Sequence, residues 1–97
     1  MKLLTKAIEK KIPALHGTEG QGMNAVAVVK YFCPWNSWTW YGVEYDGEDT
    51  MYGYVVGMAE ELGYFSLKEL AAIKGPYGLG IERDLYYSPK TLKEIAG

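Results

Sequence analysis

At 97 residues, with 48% hydrophobic and 23% charged side chains, the chain fits one globular domain and leaves no room for a second. Its one cysteine, Cys33, cannot bridge internally, and Lys2, Lys6, Glu9, Lys10 and Lys11 interrupt any signal-peptide or membrane-spanning run, which predicts a soluble cytoplasmic protein with no membrane role. Ten basic side chains against twelve acidic ones give a net charge of −2, which argues against a dedicated binder of bulk nucleic acid, because phosphate neutralisation needs clustered positive charge.

Thr5 is placed to cap a first helix, whose apolar seam is Leu4, Ile8, Ile12 and Leu15; Lys6 and Lys10 face away, and Pro13 limits its length. Residues 1–16 hold four lysines and one glutamate, read here as a solvated helix face, whereas residues 17–50 hold five acids against Lys30. The glycine-rich stretch 16–24 lacks periodicity and fits neither a phosphate loop nor a dinucleotide fingerprint, so it is a loop. Residues 25–33 are β-branched and aromatic and predict one strand buried over much of both faces, ended by Pro34. A second strand follows from Trp38 to about Asp46, with Trp38, Trp40, Gly42 and Glu44 on one side and Thr39, Tyr41, Val43 and Tyr45 on the other. The Asp46-Gly47 pair signals a hairpin into a third strand over residues 51–58, and short links of this kind favour an antiparallel meander.

ELGYF at 61–65 adds a short strand, and Ser66 with Glu69 sets capping-box spacing for a helix near 67–74 that Gly75-Pro76 stops. Residues 81–87 alternate poorly and stay ambiguous between strand and irregular structure; Thr91 and Glu94 repeat the box ahead of a short terminal helix. The expected architecture is therefore α+β: a largely antiparallel sheet of three to five strands, an N-terminal helix and two short C-terminal helices. The helices are expected to cover one sheet face, leaving the other face or an edge to present aromatic side chains.

The strings MKLLTK, PAL, VKYF, WTWYGVEYD, ELGYFSLKEL and GLGIERDLYY, in this order over nearly the whole chain, resemble the bacterial family called domain of unknown function 2958. The resemblance implies cargo of plasmids, integrative elements and phages and, by association, action on a host defence complex such as a CRISPR or restriction system. It brings no catalytic residue with it.

One histidine and one cysteine make a poor metal site, so no metal or cofactor is expected; His16 reads as a surface or packing residue and Cys33 as a core residue. The aromatic content is more informative. Trp35, Trp38, Trp40, Tyr41 and Tyr45 crowd eleven residues, more rings than a small interior accommodates, and indoles and phenols suit recognition surfaces. Few basic residues accompany them, which favours a protein or nucleoprotein partner over direct nucleic-acid binding, although ordinary sheet packing accounts equally well for any one ring. The sole arginine, Arg83, is expected to fasten the C-terminal segment by pairing with Glu44 or Glu61. The candidate binding residues are thus Trp38, Trp40, Tyr41, Glu44, Glu61 and Arg83 in a non-enzymatic binder. The alternative is a small-molecule-binding protein or modest enzyme that uses Glu44, Glu61 and Arg83.

Overall fold

The computed structural model describes residues 2–97. Among them run α1 (Lys6–Lys11), β1 (Val26–Ala27), β2 (Val29–Phe32), β3 (Thr39–Tyr45), β4 (Thr50–Val56), β5 (Glu60–Ser66), α2 (Leu67–Ala72), β6 (Glu82–Arg83), β7 (Lys90–Thr91) and α3 (Leu92–Ala96). β2 to β5 form an antiparallel meander and β6 returns beside β2, giving a five-stranded sheet in the order β5-β4-β3-β2-β6. β1 and β7 make a separate two-stranded ribbon. The α+β expectation holds, and the ambiguous segment after residue 80 contributes only the two-residue β6. No helix among the described residues is long and apolar enough to cross a membrane.

Local chemistry starts the helices and the hairpin where the sequence reading places them, but α1 stops at Lys11, short of Leu15 in its expected seam, and α2 stops at Ala72, before the expected residue 74. The Ile8 amide donates to Thr5 Oγ1 at 3.2 Å, and α1 ends at Ile12 before Pro13. Asp46 Oδ1 accepts the amides of Glu48, Asp49 and Thr50 while Gly47 takes φ 86°, which closes the β3–β4 hairpin. Thr91 and Glu94 form a reciprocal capping box. At α2 only half of the expected box forms: the Glu69 amide donates to Ser66 Oγ, and Asp49 supplies the rest by accepting from the Ser66 hydroxyl and the Lys68 amide.

Two corrections share one cause. Gly42 pairs with Gly53 but Glu44 pairs with Tyr52, so Val43 is an extra residue in β3, a β-bulge. Beyond it the alternation reverses: Tyr45 joins Trp40 on one face, and Glu44 joins Tyr41 on the other. The β2–β3 ladder reaches only to Val29 opposite Gly42. Residues 25–33 therefore split, and Val26 and Ala27 leave to pair with Thr91 and Lys90. The freed Tyr45 amide donates to the Pro13 carbonyl at 2.9 Å.

Helices cover both faces in part, not one. Leu3, Ile12, Leu67 and Leu70 pack with Val29, Tyr31, Trp40, Tyr45 and Met51 on the first face. Leu92 and Ile95 of α3 pack with Ala27, Val43 and Tyr54 on the second. Burial pushes the Tyr31 phenol far up, so it stays protonated and donates to the Leu3 carbonyl at 2.6 Å. Likewise the Tyr87 phenol, pushed up to about 12 chiefly by burial, donates to the Ala27 carbonyl and ties the C-terminal segment to β1.

Glu44, turned by the bulge, is the buried charged residue of the core, and it clamps the 16–18 loop. Its Oε1 accepts the His16 amide at 2.9 Å, and its Oε2 accepts the Thr18 amide at 3.0 Å and the Thr18 hydroxyl. Burial pushes this carboxyl up, but the bonds from Thr18 and His16 together more than offset it and hold the group below the usual carboxylate range. They also hold His16 at φ 69°, a backbone that non-glycine residues seldom adopt.

Two stability predictions follow from the bulged strand. A Cβ on Gly53 would stand 1.7 Å from the Tyr41 carbonyl oxygen, whereas one on Gly63 would meet nothing within 4 Å. Chemical denaturation should therefore find Gly53→Ala destabilised by about 3 kcal/mol, and Gly63→Ala within about 0.5 kcal/mol of the parent or slightly more stable. Glu44→Gln should cost about 2 kcal/mol at pH 7. Because the native carboxyl titrates below its unfolded counterpart, its contribution is complete above the unfolded carboxylate pKa of about 4.3 and is lost as pH falls through the native value. The gap between parent and Glu44→Gln in denaturation series should accordingly close as pH drops below about 4; a gap constant from pH 7 to pH 3 would contradict the clamp.

Candidate functional site

The turn between β2 and β3 brings three indoles together. The Cys33 amide donates to the Trp38 carbonyl at 3.0 Å, and the Trp38 amide donates to Asn36 Oδ1 at 2.9 Å, so residues 33–38 form a tight, self-bonded loop. Trp35 lies on Gly75, where an added Cβ would stand 2.6 Å from its ring, and Trp38 lies on Gly57, where the corresponding distance is 2.4 Å. Each indole thus seats on a glycine from another loop, which holds it flat against the backbone without burying its outer side. Trp38 and Trp40 follow each other around the strand start with ring centroids 5.9 Å apart.

These rings surround a groove of about 310 Å³ lined by Cys33, Trp35, Asn36, Trp38, Trp40, Ile73 and Ile81. On the other side of Trp38 is a smaller hollow of about 170 Å³ lined by Trp38, Val55, Met58, Ala59 and Glu61. Trp38, 37% exposed, is the shared wall, and Trp40, 8% exposed, is the floor of the larger groove rather than a contact surface. The groove lies on the face that α1 and α2 cover, at the end where the residue after α2 meets the β2–β3 loop. Of the two places the sequence suggested, the opposite face or an edge, it is not the opposite face, and the adjoining hollow reaches the edge strand β5 through Glu61.

The six expected binding residues separate into three places. Trp38, Trp40 and Glu61 converge here. Tyr41 lies on the second face, half-buried between Tyr54 and Tyr87, with the Lys30 ammonium 5.8 Å from its ring centre. Glu44 is committed to the 16–18 loop. Arg83 sits on β6, and its Nε donates to the Lys2 carbonyl at 3.0 Å, so it fastens the N-terminal rather than the C-terminal segment. The expected pairing with Glu44 or Glu61 is not the arrangement found. β6 and β5 are opposite edges of the sheet, four strand spacings or about 19 Å apart.

The lining residues that escaped the sequence reading as contributors include Trp35 and Ile73 of the groove and Met58 of the smaller hollow. Trp35 was visible as an aromatic near the others, but Ile73 and Met58 come from chain ends of α2 and the β4–β5 turn, and no local pattern joins them to the WNSW loop. Another concavity, of about 280 Å³ on the other face, has a mixed lining that includes His16, Glu19, Glu44, Tyr52, Leu62 and Tyr64. Its buried carboxylate is already spent on backbone amides, and His16 Nδ1 lies 2.8 Å from Glu19 at an exposed position, so the polar groups there hold the loop rather than converge on a reactant. Among the described residues no group of three or more His, Cys, Asp or Glu side chains is placed to hold a metal ion. Cys33 is a buried free thiol.

Neither the curated proteins nor the solved structures returned a match to the chain. A family model does match it, over residues 3–95, and its span takes in the groove, the bulged strand, α1, α2 and all but the last residue of α3. On that match the chain belongs to the family described as protein of unknown function (DUF2958).

Proposed function

We propose that this chain is a non-enzymatic accessory protein of a mobile genetic element that acts by binding a protein target, alone or within a nucleoprotein assembly, through the tryptophan groove. The observation that carries this reading is Trp38: a large ring held on Gly57, left 37% exposed, and lining two concavities, an apolar groove and a smaller hollow that includes Glu61. A rigid indole between two hollows offers contact area with little conformational entropy left to lose, the character of residues that dominate protein interfaces. The most exposed tyrosines differ in this respect. Tyr77 is 100% exposed and Tyr86 98%, and neither lines any of these concavities.

The net charge of −2 favours protein over bare nucleic acid, and none of the exposed lysines of α1 lines the groove or the hollow beside it. The mobile-element setting and a host defence complex as target, such as CRISPR or restriction machinery, rest on the family resemblance alone.

The test is affinity capture of the tagged full chain from its native host, compared with Trp38→Ala and with Tyr86→Ala as a surface control, after thermal melts establish that both variants fold. A protein retained by the parent and by Tyr86→Ala should bind Trp38→Ala at least about 30-fold more weakly, as expected for a residue contributing about 2 kcal/mol. Equal retention by a folded Trp38→Ala would refute the groove as the contact surface.

A further inference from the structure

We propose that the smaller hollow beside Trp38 is a subsite for a cationic side chain, an arginine or lysine presented by the protein partner. The inference rests on the reading of the groove as the partner surface and deepens it, because it names what the second half of that surface recognises.

The hollow is lined by one indole, Trp38, by the apolar side chains of Val55, Met58 and Ala59, and by one charged residue, Glu61. A long basic side chain can use all three: apolar wall for its methylene stem, an aromatic ring beside its cation and a carboxylate at the end. Glu61 is exposed and forms no ion pair among the described residues. Its chain neighbour Glu60 points to the other face of β5, where the Tyr54 hydroxyl engages it, so the two carboxylates do not share one counter-charge. The positions along β5 alternate, placing Glu61, Gly63 and Phe65 on the groove side.

β5 is also the outer strand of the sheet. A partner segment can therefore approach Glu61 from the side without displacing any element of the fold. With the apolar groove across Trp38, the surface reads a pair of features: an apolar anchor on one side of the indole and a positive charge on the other.

The full chain should be titrated with acetyl-arginine amide and with its neutral isostere acetyl-citrulline amide while the Trp38 indole N–H is followed by NMR. The arginine probe should shift that signal with an affinity at least about threefold above the citrulline probe, and Glu61→Gln, an exposed edge-strand change that spares the core, should erase the difference. Equal binding of the two probes, an unchanged preference in Glu61→Gln, or no shift of Trp38 by arginine at its highest soluble concentration would each overturn the subsite. Partner capture separates this from the parent reading: retained binding by Glu61→Gln together with loss in Trp38→Ala leaves the groove in place without its cationic specificity, whereas retained binding by both removes the groove itself.

Discussion

Where β3 meets β4, the Tyr41 carbonyl passes so close over Gly53 that no side chain fits at that position, and on its far side Gly42 leaves no room for one against Met51 and Val29. This glycine pair lets the central strands approach closely, and the extra residue Val43 follows directly. From that insertion come the reversed faces of Glu44 and Tyr45, the early end of the β2–β3 ladder, and the departure of Val26 and Ala27 to a second ribbon. Had β3 run without the bulge, Glu44 would face the apolar core of α1 and α2, where an ionised carboxylate without donors is costly. The bulge instead delivers it to amides that lack partners in the 16–18 loop.

The same strand explains how fourteen rings distribute in so small a domain. Tyr31, Trp40, Tyr45 and Tyr54 are buried, and the Tyr31 and Tyr54 phenols bond a carbonyl and a carboxylate respectively. Trp38, Tyr64, Tyr77 and Tyr86 are exposed, and the other six lie between. The interior thus absorbs some of the aromatic surplus but not all of it. What distinguishes Trp38 from the other exposed rings is support: it is seated on a glycine and walled by two hollows, so its exposed area is presented in a fixed orientation.

Much of the fold was legible in the sequence because its signals are local. Thr5, Asp46-Gly47 and Thr91 with Glu94 act through bonds to amides two to four residues away, and each forms as its spacing implies. Ser66 shows the limit of such reasoning, since its second partner, Asp49, comes from the β3–β4 turn. The bulge at Val43 was not legible, because alternation of residue types runs through it unchanged and only pairing with β4 exposes it. The errors over Glu44 and the 25–33 strand both descend from that one missed residue. The site was half legible for the same reason: Trp38 and Trp40 stand two apart in sequence and meet by strand geometry, while Glu61 joins them only through the sheet register. Arg83 went the other way, drawn to a backbone carbonyl at the chain start that no charge pattern advertises.

A binding role for the groove requires that the surface around Trp38 touch a protein. Site-specific photo-crosslinking in the native host measures this most directly, with the photoreactive residue placed at Met58, on the rim of the smaller hollow, and in parallel at Tyr86, which lies outside the groove. A discrete protein adduct from position 58 that is absent from position 86 is the predicted result. Adducts only from position 86, or nucleic acid in place of protein at position 58, would contradict it.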